Sequence, residues 1–232
     1  MESSAAIAVK VSGRYACFTR PEFKVERVSY PVMTPSAARG ALEAIFWKPE
    51  FRYEIRQIGI VKLGSQTSIL RNELDARQGK TPIVVERHRQ QRSSLVLKDV
   101  AYIIRGEMIL RDHATDPICK YRDQFNRRVD RGQCHHTPYL GTREFAATVG
   151  PPNGQAPSEA LNLDLGTMLF DLAYVEDPAR DELEFIRHDG NGGRVAKGYV
   201  HPLFFSARIE NGWLRVPPEK YEQLRTLEAQ DV

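Results

Sequence analysis

The chain has 232 residues, 41% of them hydrophobic and 27% charged, which is enough for one large globular domain or two small ones. No apolar run approaches the length of a membrane span, and Met1-Glu2-Ser3-Ser4-Ala5 lacks the basic and apolar regions of an export signal. A cytoplasmic protein with no membrane partner is expected, and the three scattered cysteines (Cys17, Cys119, Cys134) read as reduced thiols.

The net charge of +3 is unevenly spread. Residues 1–143 hold 25 Lys+Arg against 15 Asp+Glu, a surplus of 10, whereas residues 144–232 hold 8 against 15, a deficit of 7. Arginine supplies 24 of the 33 cations. Its planar fork suits bidentate contact with phosphate and stacking on bases, so the first two-thirds of the chain looks built for a polyanion. Such a surface also allows nonspecific binding of double-stranded DNA. A GC-rich genome would explain the Arg:Lys ratio but not the asymmetry between the halves.

In chain order, Ile7-Ala8-Val9-Lys10-Val11 alternates as a half-buried strand. Thr34-Pro35-Ser36 then starts a helix, with Ala38, Leu42 and Ile45 as its apolar face and Pro49 stopping it after Lys48. Phe51-Arg52-Tyr53-Glu54-Ile55 alternates again, through to Lys62. Residues 64–94 are polar, basic and aperiodic, a long loop or mobile hairpin. Order returns at Leu95-Val96-Leu97, and Val100-Ala101-Tyr102-Ile103-Ile104 through Leu110 is the most strand-like run. Asp116-Pro117 opens a second helix, with Asp116 as N-cap, Ile118, Arg122, Phe125 and Val129 on one face and Gly132 at its end. Glu144 to Val149 reads as a short strand. The order β-α-β-β-α-β predicts an α+β fold, a ferredoxin-like domain over residues 1–149. Gly150-Pro151-Pro152-Asn153-Gly154 marks a boundary, and residues 150–232 carry strand signals at Met168-Leu169-Phe170, Leu183–Ile186 and Leu203–Ile209. Glu210-Asn211-Gly212 is a hairpin turn before Trp213–Val216. These predict a small C-terminal antiparallel β domain.

Several constellations bear on chemistry. Lys120, Gln124, Arg127 and Arg131 form a stripe on the second helix. A solvated polar face is the ordinary meaning of such a stripe; a row tracking a phosphate backbone is the alternative, and the lack of acidic partners one turn away brings the two level. Cys134-His135-His136 lacks the paired ligands of a structural zinc site, so no metal is expected, and a histidine near phosphate fits better. Gly190-Asn191-Gly192-Gly193 fits no nucleotide-binding spacing and reads as a hairpin tip. No hydrolase motif or acidic cluster is present, and no cofactor is expected. Metal-free RNA cleavage needs less: the 2′-hydroxyl attacks the adjacent phosphate while one group takes a proton and a cation offsets developing charge. Lys120, Tyr121, His113, His135 and His136 are all candidates, and spacing does not choose among them.

The blocks from Gly13-Arg14-Tyr15-Ala16-Cys17-Phe18-Thr19-Arg20-Pro21-Glu22, through Val28-Ser29-Tyr30-Pro31-Val32-Met33-Thr34-Pro35-Ser36-Ala37-Ala38-Arg39-Gly40, resemble the CRISPR-associated Cas-five proteins of subtype I-C, members of the RAMP superfamily. Phe46-Trp47-Lys48-Pro49, the run Arg131 to Phe145 and Leu165-Gly166-Thr167-Met168 continue the likeness in order. The resemblance implies a metal-independent endoribonuclease that cuts CRISPR repeat RNA (pre-crRNA) near the base of its hairpin. It also implies that the protein keeps the 5′ handle of the crRNA within a surveillance complex, beside Cas-seven and Cas-eight subunits. The family's tyrosine falls at Phe46, which has no hydroxyl; its Lys-His pair falls at Lys120 and Tyr121. A phenol, with a reference pKa of ~10 against ~6.5 for imidazole, is a poor base near neutrality, so a noncatalytic RNA-binding subunit is the competing expectation. The residues expected to bind RNA are Arg20, Lys24, Arg27, Arg39, Lys48, Arg127, Arg128, Arg131 and His135.

Overall fold

The computed structural model describes residues 4–23, 26–76, 79, 82–188 and 192–229. Alternation builds β1 (Ser4–Ala16), which buries Ile7, Val9 and Val11 and leaves Ala6 and Ala8 outside. A two-residue strand, β2 (Arg27–Val28), precedes α1 (Pro35–Ile45). The Thr34 hydroxyl caps that helix by accepting the Ala37 N–H at 3.2 Å, with Pro35 in the first turn. The helix ends at Ile45, three residues before the expected Lys48, because Phe46 is already extended at φ −156°. The residue before a proline avoids helical backbone, so Lys48 cannot carry the turn onward to Pro49.

The next strands are β3 (Phe51–Lys62), β4 (Ser65–Leu74) and β5 (Arg89–Leu110). Residues 64–94 are thus largely a two-stranded arm, with β4 paired to β5 from Ser65–Lys98 to Leu74–Arg89. β4 alternates exposed and half-buried positions, but its half-buried face is Thr67, Ile69, Arg71 and Glu73 and its outer face carries Leu70 and Leu74, so the sequence shows no apolar period there.

Helix α2 (Ile118–Asp130) corrects three expectations. Asp116 does not cap it; its carboxylate instead takes the Lys120 ammonium at 2.7 Å, which supplies the acidic i,i+4 partner the stripe was expected to lack. The buried face is Tyr121, Phe125 and Val129, whereas Arg122 turns outward to Asp123 at 2.8 Å. Tyr121 wins that position because its ring can be buried and the Arg122 guanidinium cannot be without a buried partner. The strand expected from Glu144 is also shorter, β6 spanning only Thr148–Gly150. Ahead of it, Phe145 closes a turn onto the Thr142 carbonyl and bridges Leu140 at 2.9 Å.

The remaining elements are β7 (Leu163–Glu176), β8 (Leu183–His188), β9 (Gly193–Glu210), β10 (Trp213–Arg215) and α3 (Glu219–Glu228). The β9–β10 turn has Asn211 at φ +50° and Gly212 at φ +78°, the mirror-image turn that Asn-Gly favours. Of the glycine-rich stretch expected at a hairpin tip, Gly190 and Asn191 lie outside the described residues.

All described strands join one sheet in the order β6-β1-β5-β3-β10-β9-β7, with β2 and β4 on β5 and β8 on β9. Every named pairing is antiparallel except β2–β5. The fold is therefore α+β, a large antiparallel sheet with few helices. Leu214 of β10 stands opposite Ile58 of β3 and Ile209 of β9, so the sheet is continuous from the first half of the chain into the second. One core runs along it, including Leu42, Phe51, Tyr102, Phe125, Phe170 and Ile209. Arg39 of α1 ties the halves again with a fork onto both Asp171 oxygens at 2.8 Å. Helix α3 buries Tyr221 edge-on against Phe170, ring centres 4.8 Å apart, and its hydroxyl accepts the Ile55 N–H.

Candidate functional site

The C-terminal end of α1 should expose carbonyls and partial negative charge. Here it is closed by tertiary donors. The Ala44 carbonyl accepts the His135 and His136 N–H groups at 2.8 and 3.2 Å, the Ile45 carbonyl accepts Arg128 Nη1 at 2.8 Å, and the Phe46 carbonyl accepts the Tyr53 hydroxyl at 2.6 Å. This capping seats the His135-His136 loop and α2 against the Phe46-Trp47-Lys48-Pro49 turn.

The positions singled out for catalysis meet around Phe51. Its ring lies 5.5 Å from Phe46 and 5.3 Å from Tyr121, and the Lys48 ammonium stands 5.7 Å from the Tyr121 ring centre. Phe46 and Tyr121 are both buried, 3% and 1% exposed, so both face the core. The Tyr121 hydroxyl is shut off from solvent and makes no well-formed hydrogen bond, with the Asp116 backbone near it. Burial raises its pKa, and the carboxylates of Glu50 and Asp116 push it the same way. Tyr121 is therefore neither reachable by a substrate nor prone to ionise. Lys120 is the opposite case. Its ammonium is held by Asp116, which raises its pKa, and the side chain remains 62% exposed. Lys48 thus stands beside the Tyr121 ring, while Lys120, the residue before Tyr121 in α2, holds its ammonium in solvent on Asp116.

His113 adds a group of different chemistry. Its Nε2 lies 3.1 Å from the Pro49 carbonyl, the residue after Lys48. A carbonyl only accepts, so this contact places the proton on Nε2 and leaves Nδ1 with a lone pair in the neutral ring. The His135 and His136 rings are exposed, 5.9 Å apart. Among the described residues, no three His, Cys, Asp or Glu side chains gather as a metal site, at Cys134-His135-His136 or elsewhere.

The expected RNA-binding residues divide. Arg127 and Arg131 are exposed on α2 and, among the described residues, have no side-chain partner. Arg128 is spent on the α1 end and the Phe46 ring at 5.2 Å, and Arg39 on Asp171 and Glu43. Arg20 lies over the Tyr30 ring at 4.9 Å, and Arg27 pairs with Glu73 and Glu144, both at 3.4 Å. Arg27 sits where β2 meets Leu95, and Lys48 sits near the Leu110 end of β5. Fifteen residues, roughly 50 Å of extended chain, separate those two points of the strand. Lys24 lies outside the described residues. Sequence reasoning missed a further set, Arg52, Arg111, Arg187 and Arg225, which gather from four separate segments at one cleft. Nothing local marks them as a group, because they come from segments far apart in the sequence.

The family described as CRISPR-associated protein (Cas_Cas5) matches residues 6–217. This chain belongs to that Cas5 family. The family expected from the Gly13–Glu22 and Val28–Gly40 blocks is therefore the family found. A Thermus thermophilus protein named CRISPR pre-crRNA endoribonuclease Cas5d is 64% identical to this Cas5 chain over 224 residues, covering 97% of this chain and 96% of its own. A Mannheimia succiniciproducens protein of the same name is 37% identical over 242 aligned positions, covering 94% and 98%. Among solved structures, a CRISPR-associated protein superposes with a TM-score of 0.63 at 22% identity, covering 95% of each chain. The Streptococcus mutans protein SMU1763c, titled functionally uncharacterized, gives a TM-score of 0.62 at 21% identity and the same coverage. At these identities the two structures speak for the Cas5 fold alone.

Proposed function

We propose that this protein is a pre-crRNA endoribonuclease: it cleaves CRISPR repeat RNA near the hairpin base without a metal ion and stays on the 5′ handle as a subunit of a type I-C surveillance complex. The observation that carries this reading is the 64% identity, across nearly the whole chain, to a relative named for that activity. The order β6-β1-β5-β3, with α1 leading into β3 and α2 following β5, supports a ferredoxin-like unit over residues 1–149, extended by antiparallel strands from residues 150–232. Cas-seven and Cas-eight subunits are the partners, and the cytoplasm is the compartment, that this reading requires.

In this mechanism the chain's own side chains suffice. Lys48 and Lys120 receive the scissile phosphate, and Lys120 exchanges its Asp116 contact for a phosphate oxygen as charge builds on phosphorus. His113 Nδ1 takes the 2′-hydroxyl proton, with its Nε2–H anchored on the Pro49 carbonyl. Tyr121 and Phe46 stay in the core and exchange no proton. The 2′-oxygen bonds to phosphorus as the phosphorus–5′-oxygen bond breaks and the 5′-oxygen takes a proton from water, giving a cyclic phosphate on one product and a 5′-hydroxyl on the other. One observation favours the noncatalytic reading: neither position that matches the family's tyrosine or histidine can act, one for want of a hydroxyl and the other by burial. Incubating the purified protein with its locus's repeat RNA in EDTA decides between them. Cutting at one position of the cognate repeat but not of a stem-scrambled repeat supports the nuclease, and specific binding without a cut supports the subunit.

A further inference from the structure

A second concentration of positive charge lies where β3, β5, β8 and α3 come together. Arg52 of β3, Arg111 just beyond β5, Arg187 and His188 of β8 and Arg225 of α3 line an open cleft of about 450 Å³, which Asp112 and Glu228 also face. Neighbouring carboxylates answer several of these cations. Arg225 and Arg52 reach Glu54 at 2.6 and 3.2 Å, and Arg187 lies 3.3 Å from Glu176. Arg111 differs from them. Its backbone N–H is pinned to the Glu50 carbonyl at 2.9 Å, but among the described residues its guanidinium has no hydrogen bond and no ion pair. Arg111 is exposed, and the like charges of Arg52 and Arg187 press on it while Glu228 and Glu43 oppose them. A cation held under that pressure is stabilised by an anion with two oxygens to offer.

An aromatic plane borders this cleft. Trp47 is 42% exposed, lines with Arg111 the neighbouring hollow, and has its ring centre 5.2 Å from that of His188, which lines the cleft itself. The next residue, Lys48, reaches the other way to the Tyr121 ring. The Trp47-Lys48 pair therefore straddles two sites, with the lysine at the reacting phosphate and the tryptophan at the arginine cleft. His113 joins them, since it lines the cleft while its ring is anchored on Pro49. A stacking plane beside a free guanidinium is the arrangement that holds single-stranded nucleotides, whatever their sequence.

We propose that this cleft binds the single-stranded nucleotides flanking the reacting phosphate, with Arg111 on a phosphate and Trp47 stacked on a base. The proposal rests on the RNA-processing reading and adds a subsite to it. The test measures anisotropy of a short, unstructured RNA oligonucleotide with the full-length chain, its Arg111→Gln, Arg111→Lys and Trp47→Ala variants, and a repeat hairpin trimmed of its flanks. Arg111→Gln should weaken the oligonucleotide about tenfold and reduce its log–log salt slope by about 0.7, with Arg111→Lys between it and wild type. Trp47→Ala should weaken it at least about fivefold with the slope unchanged, and the trimmed hairpin should bind wild type and Arg111→Gln alike. Wild-type failure to bind the oligonucleotide, or equal binding by Arg111→Gln and Trp47→Ala, overturns the cleft. If Arg111→Gln does not fold, Trp47→Ala at its exposed position decides the same question. Loss of the oligonucleotide in a protein that never cuts its repeat would leave the cleft standing and remove the nuclease reading; a normal cut with insensitive oligonucleotide binding would do the reverse.

Discussion

Replacing Tyr121 by phenylalanine removes one oxygen atom that is buried, without a well-formed hydrogen bond and inaccessible to solvent. An unpaired buried hydroxyl costs roughly 1–3 kcal/mol of desolvation in the folded state, so its removal should leave stability unchanged or raise it by about 1 kcal/mol. For a chain of this length that is an increase of roughly 2–4 °C in melting temperature. Tyr121→Ala should do the reverse. It empties the contacts with Phe51, whose ring lies 5.3 Å away, and should cost about 3–5 kcal/mol. The catalytic consequence follows from the same burial. Tyr121→Phe should cleave repeat RNA at a single-turnover rate within about twofold of wild type. The pH profile gives an independent check. A tyrosinate base would make the rate climb as the phenol ionises, and burial and the nearby carboxylates push that step above the ordinary phenol range. No such climb is expected, and the two proteins should have superimposable profiles. A fall of tenfold or more in Tyr121→Phe, with an unchanged melting curve, would refute this reasoning.

Other predictions test separate parts of the account. Arg39→Ala strands the nearly buried Asp171 carboxylate and should destabilise the fold by about 3 kcal/mol, read as a shift in the denaturant midpoint; an effect under 1 kcal/mol would show that the pair does not hold α1 to β7. His113→Asn, which can still donate to the Pro49 carbonyl but cannot take a proton, should lower the cleavage rate at least about 10²-fold with little change in RNA affinity. Replacing Arg127 and Arg131 together should flatten the log–log salt dependence of repeat binding by about 1.5, and an unchanged slope would remove both from the RNA path.

Legibility in the sequence followed the range of the interactions. Alternation in β1 and β3, the Thr34 cap and the Asn211-Gly212 turn are local, and the structure has each of them. Helix α3 was missed because only Tyr221, Leu224 and Leu227 mark it, and Tyr221 is ordered by β3 and β7, far back in the chain. The β4–β5 arm was legible only as one of two alternatives, a loop or a hairpin, because the half-buried face of β4 carries Thr67, Ile69, Arg71 and Glu73 while Leu70 and Leu74 face outward. At the site, the exposed stripe of α2 gave Lys120, Arg127 and Arg131, but counting Arg122 as apolar-facing hid the burial of Tyr121. The role of Arg39 was out of reach, since its partner Asp171 lies 132 residues away. Arg111 has the same difficulty, for the cleft exists only once β8 and α3 are in place.

The most direct test of the central claim is single-turnover cleavage of the locus's repeat RNA in EDTA by wild type and by Lys120→Ala, with affinity measured in parallel. Lys120 is 62% exposed and supports no core contact, so its loss should leave the fold intact and be felt chiefly in the transition state. The account predicts one cut by wild type, a product ending in a cyclic phosphate, and a rate at least about 10²-fold lower in Lys120→Ala with affinity within a few-fold. Equal rates in the two proteins, or cutting that EDTA abolishes and magnesium restores, would contradict it.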